Sequence, residues 1–338
     1  MNKIFKSLIT ISAVFLIVGC GTKKEDNKLN VISTIFPYYD ITSQIIGKED
    51  NINLELLIDN GADLHSYQAT TDDIIAINNA DIIVLNGGPS DQWILDAIKD
   101  SNNKDLIIIN AMEELSDNVL AEEHVEGMQE HKHEHEHEDD SHELEHEDDS
   151  HELEHEHESS NHNDEHLWLS IKNMKVITKS ISKALVKADK DNKSSYEKNT
   201  TGYTNELNKL DNNLEKVVNN AKHDSILVGD RFPFRYLVED YNINYYAAFP
   251  GCSGETEASF ETIVFLSKKI DELNLDYVLS IDGSDGSIAE TIIENTETKS
   301  QNVKVLNSMQ SLGKKDINKK SYISIMEQNI NVIKDVLN

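Results

Sequence analysis

The sequence predicts an α/β protein of two lobes, each with a mainly parallel sheet flanked by helices, joined by one long rigid helix with a cleft between the lobes. Three observations carry this. Short runs of branched apolar residues recur along the chain, as strands buried on both faces require. Stretches of helical spacing alternate with them, the order that a parallel sheet needs. Between the two series, residues 191–222 carry Tyr203, Leu207, Leu210 and Leu214 three or four apart, with charge between them and no proline. At 1.5 Å per residue a helix from about Ser194 to Ala221 is about 40 Å long, enough to bridge two lobes.

Taken in order, residues 1–19 read as a signal peptide: a basic start at Lys3 and Lys6, an apolar run from Leu8 to Val18, and a small residue, Gly19. The run is too short to cross a bilayer as a helix. Cys20 stands directly after the break and is the expected lipidation site, since two acyl chains are about what stable anchoring takes. Residues 20–28 are polar and form a tether. Residues 29–190 make the first α/β lobe, with strands at Val31–Ile35, Leu54–Ile58, Ile82–Leu85 and Leu106–Ile109 and helices near Tyr38–Ile46, Thr71–Asn79, Asp91–Lys99 and Met174–Ala188. After the linking helix, residues 223–338 make the second lobe. Its strands fall at Ile226–Val228, Asn244–Tyr246, Tyr277–Ile281 and Val303–Leu306, its main helices at Ser259–Leu275, Ile288–Asn295 and Ser321–Leu337.

Residues 121–165 break the first series. Glu138–His146 recurs unchanged as Glu147–His155, and the stretch is almost wholly Glu, Asp, His and Ser. It cannot bury enough apolar area to fold alone and is expected to be a disordered loop. Residues 121–166 hold twenty acidic residues against one Lys, so −19 of the chain's formal −31 lies there. The remainder is an ordinary acidic body without a basic stripe, which excludes nucleic acid as a partner. Anchoring would then rest on lipid and not on charge.

Twelve of the fourteen histidines lie in 121–166, a density that a solvated acidic tail does not explain. Imidazole is the commonest ligand for zinc, copper and nickel, and carboxylates add oxygen donors. His131, His133, His135, His137, His142, His146, His151, His155 and His157 are therefore expected to give several weak metal sites. Two histidines stand where geometry could be fixed. His65 follows the strand ending at Ile58, at the strand ends where open α/β sheets bind ligands, although a lone His there serves as readily on a surface or in a core. His166 stands where the loop returns to folded sequence.

Gly61-Ala62-Asp63-Leu64-His65-Ser66-Tyr67 with Asp73, the acidic His-rich insertion, His166-Leu167-Trp168-Leu169, Asp230–Tyr236 with Tyr241, Glu255–Ser259 and Asp282 through Thr291 together resemble the zinc/manganese ABC-transporter substrate-binding lipoproteins, ZnuA/AdcA-like and of the zinc type. The resemblance covers about 29–338. It implies one metal in the cleft, extracellular capture of zinc (manganese possible), delivery to an ABC importer permease, attachment to the cell membrane through lipid, and a monomer. It implies His65 and His166 as ligands.

The remaining ligands depart from the family pattern. Arg231 stands where zinc members carry a His, and it stays protonated and cannot ligate. Gln310 stands near the late acidic ligand. The resemblance leaves Glu255, Asp230 and Asp282 as candidates, with Arg231 free to pair with one of those carboxylates. Cys252 is read chiefly as a small buried hydrophobe. A manganese importer protein and a surface adhesin with a structural metal are the alternatives. A zinc hydrolase finds no support: no Gly-x-Ser-x-Gly motif is present, and His-Glu-x-x-His occurs only inside the acidic tract, at His133–His137, His142–His146 and His151–His155, where no fixed helix is expected to hold the two histidines on one face.

Overall fold

A computed structural model of the chain describes residues 28–99, 103–129, 163–254 and 257–338. Cys20, Glu255 and the loop histidines from His131 to His157 lie outside the described residues.

Each lobe is built on a four-stranded, all-parallel sheet. The first contains β1 (Leu29–Ser33), β2 (Ile52–Leu56), β3 (Ile82–Leu85) and β4 (Ile107–Asn110) in the order β2-β1-β3-β4. The second contains β5 (Ser225–Phe232), β6 (Asn244–Pro250), β7 (Tyr277–Ile281) and β8 (Asn302–Leu306) in the order β6-β5-β7-β8. β3 reads Ile-Ile-Val-Leu and is buried at every residue, the signature of a strand covered on both faces.

The helices α1 (Phe36–Ile46), α2 (Thr71–Asn78), α3 (Gln92–Lys99), α4 (Ala111–Glu114) and α5 (Ile171–Ala188) belong to the first lobe. α6 (Lys193–Asn219) is the linking helix, and α7 (Arg235–Tyr241), α8 (Phe260–Leu273), α9 (Ser287–Glu294) and α10 (Tyr322–Val336) complete the second lobe. Their starts are written in the sequence. Thr70 caps α2 in a reciprocal box with Asp73, and Ser170, Ser259 and Ser321 cap α5, α8 and α10.

α6 packs on α1 and α5 of the first lobe and on α10 of the second. Tyr203, Leu207, Leu210 and Leu214 are its buried stripe. One continuous buried cluster runs through Ile41, Ile181, Leu207 and Ile330. At about 1.5–3 kcal/mol per fully buried large apolar side chain, this shared core ties the lobes firmly. Polar bonds add direction: Trp168 Nε1 donates to the Ser308 carbonyl at 2.8 Å, and Tyr322 Oη to the Trp168 carbonyl at 2.9 Å.

The folded body reaches further into the acidic stretch than its composition suggested, which corrects the expected 121–165 boundary. Met128 is buried, Gln129 N donates to the Ala248 carbonyl at 3.0 Å, and Ser259 N donates to Gln129 Oε1 at 2.6 Å. At Gly127 a Cβ would stand 2.0 Å from the Phe265 ring, so only glycine allows that approach. On the return side Asp164 and Glu165 are buried, Asp164 N donates to the Leu120 carbonyl at 2.9 Å, and Ala121 bridges Asn163. The two flanks of residues 130–162 are thus pinned together beside His166.

Candidate metal site

The site residues stand on segments that follow the C-terminal ends of strands from both sheets. His65 lies on a short helical turn, Leu64–Ser66, after β2. Asp63 caps that turn, its Oδ1 accepting from His65 N at 3.0 Å. His166 opens the turn Leu167–Leu169, and Asp164 Oδ1 accepts from its backbone N at 2.8 Å.

Both imidazoles are fixed from behind. His166 Nδ1 stands 3.0 Å from Asp164 Oδ1, and His65 Nδ1 stands 3.1 Å from Glu165 Oε2 and 2.9 Å from Ser90 Oγ. Ser90 N also donates to Glu165 Oε1 at 2.9 Å. Burial pushes the Glu165 carboxyl up, but the bonds from His65 and Ser90 outweigh it and hold the group below the usual range. The carboxylate behind each ring takes up its Nδ1 and leaves its Nε2 turned to the cleft. Those two Nε2 atoms face each other at 3.1 Å. Two nitrogens bound to one tetrahedral zinc at about 2.05 Å stand roughly 3.3 Å apart, so the pair fits such an ion with little movement.

Among the described residues, one group of three potential ligand atoms converges: His65, His166 and Cys252, all within 4.8 Å of one another. Cys252 follows β6. Burial, with Asp164, Glu122 and Glu165 nearby, pushes its thiol up in the metal-free chain. Gln310, after β8, is buried, and its Nε2 stands 3.1 Å from His166 Nε2 while its Oε1 has no partner.

Asp230 and Asp282 line the same cleft as His65 and Cys252 but stand outside that converging group. Asp282 Oδ1 already accepts from Ser308 Oγ at 2.7 Å. Asp230 Oδ1 accepts from Arg231 N at 2.9 Å, and its Oδ2 is buried without a partner. The Arg231 side chain pairs with Asp63, on the opposite lobe, and not with Asp230 or Asp282. Burial pushes Asp63 up, but Arg231 and the His65 backbone amide hold it below the usual range.

Sequence reasoning passed over Asp164 and Glu165, whose composition blended into the acidic stretch. The one available signal was their place directly before His166. The approach of Cys252 to the two histidines is not legible in the sequence, because it depends on where β6 ends.

The family model described as zinc-uptake complex component A, periplasmic, matches residues 31–336. The high-affinity zinc uptake system protein ZnuA of Bacillus subtilis (strain 168) is 29% identical over 346 residues, covering 100% of this chain and 99% of that protein. The zinc-binding lipoprotein AdcA of Streptococcus pneumoniae (strain ATCC BAA-255 / R6) is 28% identical over 335 residues, 99% of this chain but 61% of AdcA, so the chain spans about three fifths of that relative. Among solved structures, the metal-dependent lipoprotein YcdH of Bacillus subtilis superposes with a TM-score of 0.70 at 25% identity, over 92% of this chain and 100% of that one. Since the family match runs from β1 to the end of α10, the chain belongs to the zinc-uptake complex component A family.

Proposed function

We propose that the chain captures zinc outside the cell in the cleft between its lobes and delivers it to the permease of an ABC importer, acting as a binding protein and not as an enzyme. The observation that carries this reading is the pair of Nε2 atoms, 3.1 Å apart, each ring held by a carboxylate on its far nitrogen. Such a pair attracts a cation and has little other use. The zinc-uptake relatives support the choice of metal. His65 and His166 bind the ion, Asp164, Glu165 and Ser90 orient them, and the Trp168 ring, 5.3 Å from the His166 ring centre, walls the site.

In this reading Cys20 carries the lipid that holds a monomer at the outer face of the membrane. No helix among the described residues is long and apolar enough to cross a membrane. The acidic histidine tract gathers metal weakly beside the cleft, since its two flanks meet next to His166.

The test is zinc accumulation in cells of the source organism lacking the gene, grown with zinc scarce. Native chain should restore uptake, whereas His65→Ala and His166→Ala chains at equal abundance should not. Full uptake with both variants would contradict the reading.

A further inference from the structure

The cleft lacks two of the ligands that the family pattern leads one to expect. Arg231 occupies the place of a histidine and is turned away to Asp63. By the same resemblance Gln310 stands near the place of an acid. Asp282 is taken up by Ser308, and Asp230 stands outside the converging group. Among the described residues, which leave out Glu255, two imidazoles alone make a weak site, so a further donor is needed.

The structure brings one. The Cys252 sulfur lies with the two histidine nitrogens inside 4.8 Å. The loop that carries it is built for the approach. At Gly251 a Cβ would stand 3.0 Å from His166 Cε1 and 2.8 Å from the Phe232 carbonyl, so any larger residue would push Cys252 off the ring. Opposite lies an independent sign of a missing ligand: Gln310, 5% exposed, has its Nε2 3.1 Å from His166 Nε2 and its Oε1 buried without a partner. A half-turn of that amide exchanges its donor for an acceptor facing the site.

Resting on the reading that the cleft takes up a divalent metal, we propose that Cys252 is its third ligand. The thiolate closes a His65–His166–Cys252 site, the Gln310 amide oxygen makes the fourth contact, and the cargo is a thiophilic cation of the zinc and cadmium class and not manganese. A tetrahedral zinc with sulfur at about 2.3 Å sets nitrogen and sulfur roughly 3.6 Å apart, so Cys252, within 4.8 Å of both, has at most about an ångström to close. Binding forms the metal–sulfur bond and breaks S–H, and the proton passes to solvent water. Manganese gains little from sulfur and prefers oxygen donors, so the thiolate selects against it.

Cobalt(II) tests this on the full chain carrying Cys20→Ser. The sequence has two cysteines, so Cys252 is then the sole thiol, and the histidine tract cannot supply sulfur. The first equivalent of cobalt should raise a near-ultraviolet thiolate-to-metal charge-transfer band, which zinc and cadmium abolish and manganese does not. Cys252→Ser should lack the band and bind zinc at least about tenfold more weakly by chelator competition. Tight cobalt binding that depends on His65 but shows no such band overturns the thiolate and leaves zinc capture standing. Absence of any His65-dependent site overturns both. The spectrum of the unsubstituted Cys252 chain decides even where Cys252→Ser folds poorly.

Discussion

His65 Nε2 and His166 Nε2 stand 3.1 Å apart although 101 residues separate them in the chain. One dipeptide aims both rings. Asp164 holds His166 from behind and Glu165 holds His65, so two adjacent carboxylates set two imidazoles that come from different parts of the lobe. Both carboxylates are buried, which keeps water from competing for the histidine protons.

That arrangement predicts the effect of removing either carboxylate. Asp164→Ala and Glu165→Ala should each weaken zinc binding by about tenfold to a hundredfold while leaving one site. Chelator competition on purified variants reads this. Unchanged affinity in both would show that the rings are oriented by something else.

The Arg231–Asp63 pair crosses the cleft, and Asp63 also caps the turn that carries His65. Arg231→Ala leaves a largely buried carboxylate without its cation. It should cost about 1–3 kcal/mol in metal-free stability, read by urea denaturation. A loss within about 0.3 kcal/mol would mean that solvent compensates the pair and that it does not tie the lobes.

Asp91 gives a dependence on pH. It is fully buried, and burial, opposed by the Gly87 and Asn86 amides and reinforced by Glu165, pushes its carboxyl up to about 7. The unfolded chain releases that proton near pH 4. Between about pH 4 and 7 the folded state alone keeps it, so this group's stabilisation is complete below about 4 and is lost as pH rises through 7. The slope is at most about 1.4 kcal/mol per pH unit. Asp91→Asn resembles the protonated form and should remove that slope in metal-free protein. Parallel stability curves for the two proteins from acid to neutral pH would contradict it.

Cys20→Ala tests the anchor. The variant should appear in the medium or accumulate unprocessed, and carbonate washing of membranes followed by immunoblotting reads the outcome. Firm retention would remove the lipid from the account.

Much of the fold was legible in the chain. Ile82–Leu85 and Tyr277–Ile281 match β3 and β7 residue for residue, because runs of branched apolar residues have one comfortable place, inside a covered sheet. α6 was legible because its four-residue apolar stripe is long. α7 was missed: seven residues hold too few turns to show a period, and Arg235 begins it without a side-chain cap. β5 runs on to Phe232 past Val228 through an irregularity in register, which lets polar Asp230 and Arg231 sit at the cleft. No local pattern marks that. Of the candidate site, His65 and His166 were legible from motif and position. The approach of Cys252 was not, because its neighbours come from other strand ends, and Asp164 and Glu165 are two among the twenty acidic residues of the same stretch.

The most direct test of zinc capture by the cleft separates it from the histidine tract. Met128 and Gln129 pack on the second lobe and Asp164 and Glu165 on the histidines, so a deletion has to spare both flanks and remove 130–162, bridged by a short Gly-Ser linker. Zinc stoichiometry of that protein, titrated against a competing chelator, should show the weak multiple phase gone and one tight site kept. His65→Ala in the same background should weaken that site by more than about 1.4 kcal/mol, or tenfold. If the single tight site disappears with residues 130–162, the metal is held by the tract and the cleft is not the binding site.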